Sequence, residues 1–360
     1  MKRWSAMNTF SRICASLVGL LLFSTIIPGN LSGQDQTDES TENVSAPRYT
    51  EPVSIIWEFG IQATAGADSR SILATAPLPV EWPEQTVEII DEIKTDNVNR
   101  ISFKDLTREA QQMVVRINNL PAGETARAVV RVRISRSNTL TPIAPETLTI
   151  PARPSSRLRK YLRPSPMIES NHSRIEEIAE AIGTDPSLND WQIVEAVYDW
   201  VRENIEYRFA NENYTCLQAL DMGYGDCGEL SSLFVAICRA KGIPARCVWI
   251  PGHAYPEFYL EDPEGNGHWI PCQAAGQREF GAMTESSPIL QKGDNFKVPG
   301  ISDNLAYIRP TLVAKEAPGG IDFVHITDQI EVESRTEDEN RTRPSLMNRE
   351  EEHNRTRNGG

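Results

Sequence analysis

The stretch GYGDCGELSSLFVAICRAKG, residues 223–242, joins a glycine-rich loop to an apolar pattern of helical period. Gly223 and Gly225 permit a tight loop, and the apolar residues that follow predict a helix over 227–241, ended by Gly242. Cys227 opens this helix, where backbone N–H groups stabilise an anion. We therefore expect a lowered pKa for the Cys227 thiol and a usable nucleophile, whereas Cys238, in mid-helix, is interpreted as a packing residue.

A nucleophilic thiol needs a base within reach, and histidine is the usual one. His253 begins a predicted strand over 253–260, just beyond the cysteine helix, from which its imidazole can be directed at Cys227. A histidine beside a strand is more often structural, so spacing alone leaves this pair open. Four histidines remain. His172 is near a helix start and His268 is on a neighbouring strand, whereas His325 is in an apolar C-terminal strand and His353 is in the polar tail.

The residues around this pair resemble the core of the transglutaminase-like domain family. In that family a nucleophilic cysteine heads a helix that ends in a Gly-Ile-Pro-Ala-Arg turn, as residues 225–246 do here. The segment HAYPE at 253–257 is similar to the family's His-Ala-Trp-x-Glu strand, and WIPCQ at 269–273 is similar to its Trp-x-Pro-x-Asp strand. The resemblance extends over about 161–276, including the helix that precedes the cysteine loop.

This resemblance implies a papain-like thiol fold and Cys–His acyl-transfer chemistry without a metal or other cofactor, as in secreted bacterial-type members. The catalytic residues it implies are Cys227, His253 and Gln273, where Gln273 takes the place of the family's acid. Glutamine cannot ionise, but its carbonyl can accept a hydrogen bond from the imidazole, as asparagine does in papain-like proteases. A role for Glu257 or Asp262, and a weakened or silent site, are the alternatives left open.

The pattern upstream of the cysteine motif is different. Val53, Ile55, Trp57, Phe59 and Ile61 alternate with period two, and strands are also predicted near 114–117 and 127–134. The alternating arginines of the last strand are interpreted as a solvated sheet face rather than a binding stripe. Residues 51–145 are predicted to form an all-β sandwich-like domain.

Helical and then strand patterns follow a proline-rich connector and predict a transglutaminase-like domain over 155–332, including C-terminal strands. The predicted fold class is therefore α+β, a papain-like, transglutaminase-like catalytic domain preceded by an all-β sandwich-like domain. Residues 333–360 are polar and charged, and we expect them to be a disordered tail.

The N-terminal residues read as an export signal. Three basic residues precede the apolar run ICASLVGLLLFSTII at 13–27, which is too short to span a bilayer as a helix. A signal peptide over 1–33 and a flexible linker over 34–50 are predicted, with an uncleaved anchor as the alternative. We expect a secreted or periplasmic protein without stable membrane insertion after signal removal.

Composition limits the partners and the cysteine chemistry. The 360 residues have a formal net charge of −14, which argues against a general nucleic-acid binder. Five of six cysteines remain after the signal, an odd number, so at least one thiol is free. Cys247 and Cys272 fall on strands that can be neighbours, so their pairing stays open. Zinc is a weaker option, because the spacing lacks paired Cys-x-x-Cys groups: Cys216, Cys227, Cys238 and Cys247.

Two hypotheses about function follow. In the first, Cys227 attacks a carboxamide or peptide carbonyl, His253 relays the proton, and the thioester passes to water or to an amine. The enzyme is then a protease, an amidase or a transamidase acting on a protein or peptide. In the second, the domain is a weak or inactive scaffold that binds peptide or cell-wall polymer. The sequence indicates neither the substrate nor the oligomeric state.

Overall fold

A computed structural model describes residues 43–209 and 213–330 of the chain. The predicted signal peptide over 1–33, the linker up to residue 42 and the polar tail over 333–360 lie outside the described residues. In the part that the structure describes, no helix combines the length and the hydropathy needed to cross a membrane.

The first part of the chain is built from strands, as the alternating sequence predicts. In Val53–Ala65 the side chains of Trp57, Phe59 and Ile61 are buried on one face. On the other face Glu58 pairs with Arg127 at 2.6 Å. The strands are β1 (Arg48–Tyr49), β2 (Val53–Ala65), β3 (Ser69–Leu78), β4 (Gln85–Lys94), β5 (Arg100–Thr107), β6 (Ala110–Leu120), β7 (Thr125–Arg136) and β8 (Thr139–Leu140).

Helices and further strands make up the second part. The helix predicted over 227–241 is confirmed, and the short helix Cys216–Met222 was not predicted because seven residues give too little periodicity. The helices are α1 (Ser173–Ala181), α2 (Asp190–Asn204), α3 (Cys216–Met222) and α4 (Cys227–Ala240). The strands are β9 (Glu206–Tyr207), β10 (Tyr224–Gly225), β11 (Ala245–Ile250), β12 (His253–Glu261), β13 (Gly267–Pro271), β14 (Gln291–Lys292), β15 (Thr311–Glu316) and β16 (Ile321–Ile330).

One sheet runs through both parts of the molecule. Within the described residues its order is β13-β12-β11-β14-β6-β3-β15, with β5 also paired to β6. The two-residue strand β14 makes the join, because Gln291 pairs with Trp249 on one side and with Ala110 on the other. A second sheet, of order β16-β2-β7-β4, shares a core of buried apolar side chains with the β3–β6 end of the first. The fold is α+β, with a sandwich of two sheets at one end.

The C-terminal strands differ from the sequence-based assignment to the second domain over 155–332. β16 pairs with β2 from Ile321 to Ile330, and β15 pairs with β3. An alternating pattern identifies a strand but not its neighbour, so this pairing could not be read from the sequence. We accordingly propose that the sandwich comprises residues 51–145 together with these two strands.

Helix α4 is the centre of the helical part. Its residues from Glu229 to Arg239 are buried, and it packs against strands β11 and β12 on one side and helices α1, α2 and α3 on the other. Phe234 makes edge contacts with the rings of Tyr198 and Phe258. This burial fixes the start of α4, where the cysteine lies, against the first residues of β12.

A chain of buried ion pairs crosses the junction between the two parts. Lys292 on β14 binds Glu84 at 2.6 Å and Glu257 at 2.5 Å, and Glu257 also binds Arg246 at 2.7 Å. These four side chains are at most 7% exposed. Because the carboxylates lie between the cations, each charge has a partner in a region where an unpaired charge is costly.

Candidate active site

The local sequence holds Cys227 at the first position of α4. The Asp226 carboxylate accepts the Gly228 N–H at 2.7 Å. It also accepts the Glu229 N–H, while the Glu229 carboxylate accepts the Asp226 N–H at 2.8 Å, and these two bonds form a capping box. The chain passes so close to this cap that a Cβ on Gly225 would lie 2.7 Å from the Cβ of Glu229. This close contact between the loop and the helix therefore requires glycine at position 225. The cap fixes the direction in which the Cys227 side chain projects from the start of the helix.

The expectation of a lowered thiol pKa is wrong for this arrangement. Burial raises the pKa of Cys227, and the neighbouring Asp226 carboxylate raises it further. Hydrogen bonds from the Ala254 and Gly228 N–H groups act in the opposite direction but do not compensate. The favourable field of a helix N-terminus is offset here by the acidic side chain that caps it. The surroundings of Cys227 therefore favour the thiol over the thiolate.

His253 and Gln273 are in direct contact, as the sequence predicts. The Nε2 atom of His253, the first residue of β12, lies 2.9 Å from Oε1 of Gln273, just after β13. Because the amide oxygen can only accept, this contact favours the tautomer with the proton on Nε2, in which Nδ1 is the acceptor nitrogen. The backbone carbonyl of Gln273 accepts hydrogen bonds from the Tyr198 hydroxyl and from the Arg202 guanidinium, both at 2.9 Å. These two bonds hold the backbone of Gln273 in position.

Cys227 and His253 line the same cavity, which has a volume of about 270 Å³. Asn213 and Trp249 also line it, and on the other side lie residues from the C-terminal part of the chain, among them Tyr307. The cavity thus brings the nucleophile, a histidine with a free Nδ1 and an apolar wall to one place.

The comparisons with known proteins agree with this geometry. Residues 176–274 match the family model of the Transglutaminase-like superfamily, and this match includes both Cys227 and His253. These residues form a transglutaminase-like domain. A comparison with curated proteins finds no match.

Solved structures are similar to the chain beyond this domain. A candidate cysteine protease from Cytophaga hutchinsonii is 16% identical, with a TM-score of 0.54 over 79% of this chain and 93% of the other. The periplasmic domain of TgpA from Pseudomonas aeruginosa is 12% identical, with a TM-score of 0.29 over 66% of this chain and 84% of the other. The first of these similarities supports the fold of the transglutaminase-like domain together with its β-sandwich.

The two other acids considered for the transglutaminase-like site lie elsewhere. Glu257 is fully engaged by Arg246 and Lys292; burial opposes its ionisation, but these two cations hold its pKa below the usual range. Asp262 binds His268 at 3.0 Å, and hydrogen bonds hold its pKa well below the usual range despite partial desolvation. Of the three candidates, Gln273 is the one in contact with the imidazole.

The other thiols of the transglutaminase-like domain are free and buried. All five cysteines in the described part of the chain are unpaired, so Cys247 and Cys272 do not form a disulfide. Burial raises the pKa of each of these two thiols, and of Cys238. Among the described residues no group of three or more histidine, cysteine or acidic side chains is placed to hold a metal ion.

Several residues of the cavity were not found from the sequence. Tyr307 packs on Trp249 with ring centroids 4.7 Å apart, and the buried Gln291 holds Ile308 by two backbone hydrogen bonds of 2.8 and 2.9 Å. Arg309 and His325 follow along the same wall. These residues are far from the cysteine motif in sequence and carry no local pattern of their own. Only the pairing of the C-terminal strands with the sandwich brings them to the transglutaminase-like domain.

Proposed function

We propose that this protein is a secreted or periplasmic thiol enzyme that cleaves or transfers a carboxamide or peptide acyl group through a Cys227 thioester. The observation that carries the proposal is the 2.9 Å contact between His253 Nε2 and Gln273 Oε1, made at the cavity that Cys227 also lines. This contact leaves His253 Nδ1 free to act as a base toward the thiol.

In the proposed reaction, His253 Nδ1 takes the thiol proton as Cys227 Sγ attacks the substrate carbonyl carbon. The carbonyl oxygen becomes an oxyanion, which accepts hydrogen bonds from the Cys227 N–H and from the carboxamide of Asn213 at the cavity wall. The imidazolium returns the proton to the leaving nitrogen, the C–N bond breaks, and a thioester remains. Water or an amine, deprotonated by His253, then attacks the thioester and releases the thiol.

Gln273 contributes orientation rather than charge to this reaction. Its amide oxygen holds the imidazole ring and the Nε2 proton, but it cannot neutralise the imidazolium that forms. Because the resting thiol also has a raised pKa, proton transfer occurs together with attack on the substrate rather than before it. This step distinguishes the proposed site from one with a preformed thiolate–imidazolium pair.

The test uses casein as a probe of both outcomes. Peptide release measures hydrolysis, and incorporation of a fluorescent primary amine measures transamidation. Cys227→Ala is expected to abolish whichever activity the wild-type protein has, while the matched variant Cys238→Ala, on the same helix, retains it. If Cys227→Ala keeps full activity and its folded circular-dichroism spectrum, the proposal is refuted.

A second candidate function is that of a scaffold which binds peptide or cell-wall polymer without turnover. It is favoured by the neutral Gln273 and by the raised pKa of Cys227, which together leave the site without a resting ion pair. A peptide aldehyde, which forms a thiohemiacetal with an active cysteine, separates the two candidates. Time-dependent, reversible modification of Cys227 supports the enzyme, and peptide binding that is identical in Cys227→Ala supports the scaffold.

A further inference from the structure

The connector between the sandwich and the helical part has a charge opposite to that of the whole protein. Residues 147–168 contain five cations and no acid, although the chain has a net charge of −14. The cations are Arg153, Arg157, Arg159, Lys160 and Arg163. Of these, only Lys160 forms an ion pair with another described residue, at 2.9 Å from Glu109. Unpaired cations concentrated in an acidic protein indicate a surface that attracts an anion.

Two of these cations border a groove with aromatic walls, which the Glu109 carboxylate also lines. Arg157 and Lys160 lie on one side of a cavity of about 610 Å³, and Arg108, from the turn between β5 and β6, lies on another. Trp82 and Trp269 line the same cavity, together with Tyr161 of the connector. We call this the connector groove. It combines charged guanidinium groups with broad ring faces.

The two tryptophans are held in place by buried cations. The Arg246 guanidinium lies 4.0 Å from the ring centroid of Trp269 and 5.5 Å from that of Trp82, and Lys292 lies 4.9 Å from the Trp82 centroid. Tyr161 packs edge-on against Trp269, with ring centroids 5.0 Å apart. The aromatic walls are therefore rigid in the absence of a ligand, so that binding does not have to order them.

A polar cavity of about 370 Å³ adjoins the connector groove and shares Trp82, Trp269 and Arg246 with it. The Nε1–H of Trp82 is buried and has no acceptor among the described residues, so a donor is left unsatisfied at this place. The carboxylates of Glu84 and Glu257 also line the adjoining cavity. Lys292 and Arg246 already hold these two carboxylates, so a ligand that fills the groove meets instead the Trp82 donor, the Glu109 carboxylate and the cations Arg108 and Arg157.

We propose that the connector groove binds an anionic polysaccharide that carries carboxylate groups, of the uronate type. Sugar rings present C–H faces that pack on Trp82 and Trp269, carboxylates match the planar fork of an arginine, and hydroxyls can both accept from Trp82 and donate to the Glu109 carboxylate in the groove. That carboxylate disfavours densely charged chains such as polyphosphate or polyglutamate, because it repels their closely spaced negative charges. A polyhydroxylated chain with one carboxylate per ring supplies hydroxyl groups that can donate and negative charges that are widely spaced.

The connector groove is separate from the candidate active site. Glu257, in the adjoining cavity, is four residues along β12 from His253, a distance of about 13 Å in an extended strand. Binding there needs neither Cys227 nor His253, so the proposal stands or falls independently of the proposed reaction.

The test is a titration of the full mature chain with polygalacturonate, in which tryptophan fluorescence reports binding. We expect saturable binding that weakens with added salt and no binding of neutral dextran. The double reversal Arg108→Glu with Arg157→Glu should weaken binding about tenfold or more, because two exposed cations each contribute up to about 1 kcal/mol. The matched control is Arg100→Glu with Lys315→Glu, two exposed cations that do not line the groove, and its affinity should be unchanged.

A second variant tests the donor. Trp82→Phe keeps a ring face but removes the Nε1–H, and we expect several-fold weaker binding with the salt dependence retained. The proposal is overturned if polygalacturonate binds the groove variant and the wild type equally. It is overturned also if polyglutamate or single-stranded DNA of matched charge binds as tightly as polygalacturonate, since the groove would then recognise charge alone.

Discussion

The carboxylate of Asp226 has two opposite effects on Cys227, and the substitution Asp226→Asn separates them. The side chain caps α4 by accepting the Gly228 N–H, which places the thiol, and its negative charge raises the pKa of that thiol. Asparagine is as good an N-cap as aspartate but carries no charge. The variant should therefore keep the helix start and make thiolate formation easier.

The size of this effect follows from Coulomb's law. Two unit charges about 4 Å apart interact by about 1 kcal/mol in bulk water and about 4 kcal/mol at an effective dielectric constant near 20. Because Asp226 and Cys227 are both partly exposed, we use the lower part of this range, about 1.4 kcal/mol or tenfold in thiolate population at pH 7. A more stable thiolate is intrinsically about threefold less nucleophilic, so the net gain in alkylation rate is about threefold.

Alkylation with iodoacetamide over a series of pH values measures this change. The Cys227 peptide is quantified by mass spectrometry, which is favourable because the other four thiols are buried. The matched control is Asp185→Asn, which removes a turn carboxylate that also accepts a backbone N–H. If the Asp226→Asn rate profile coincides with that of wild type, or shifts to higher pH, the capping carboxylate does not control the thiol.

Three further substitutions test the packing around the site. Glu257→Gln leaves the buried Arg246 with a neutral partner and Lys292 with Glu84 alone, and it should lower the free energy of unfolding by about 3–5 kcal/mol in urea denaturation. Because the folded-state pKa of Glu257 is depressed, the stability that its carboxylate contributes is present at neutral pH and is lost as the pH falls through that pKa, so the wild-type advantage should vanish there. Gly225→Ala places a Cβ 2.7 Å from that of Glu229 and should cost about 1–3 kcal/mol in the same assay, whereas a neutral result would mean that the loop has room to move. Tyr198→Phe removes the hydroxyl that donates to the backbone carbonyl of Gln273 and should lower the free energy of unfolding by about 1 kcal/mol. The variant should also reduce turnover on casein without changing the alkylation rate of Cys227. A change in that alkylation rate would show that the substitution affects more than Gln273.

The parts of the structure that depend on local patterns were predictable. The helix Cys227–Ala240 and the strand Ala245–Ile250 follow from periodicity and from glycine at the ends, because each is decided by neighbours in the sequence. The contact between His253 and Gln273 was expected from the resemblance, which carries information on residue pairs that periodicity does not.

The parts that depend on distant neighbours were not predictable. The cavity wall at Tyr307 and His325 exists because β15 and β16 return to the sandwich, a pairing between segments more than 200 residues apart. The error in the pKa of Cys227 has a different origin. The sequence places the thiol at a helix N-terminus, but the charge of the cap and the degree of burial decide the sign, and burial is a tertiary property.

The raised pKa of Cys227 bears on the export that the N-terminal sequence predicts. Oxidants attack the thiolate rather than the thiol, so a low-pKa cysteine open to solvent is at risk in an oxidising compartment. Here four thiols are buried, and burial and Asp226 raise the pKa of the fifth, Cys227, which disfavours the thiolate. In the proposed reaction His253 Nδ1 takes the thiol proton as the carbonyl carbon is attacked, and the contact with Gln273 holds the imidazole ring in place. We therefore expect that a neutral residue in the position of the family's acid still supports the proposed reaction, because Gln273 positions the imidazole, while burial and Asp226 make the thiol less reactive when no substrate is bound.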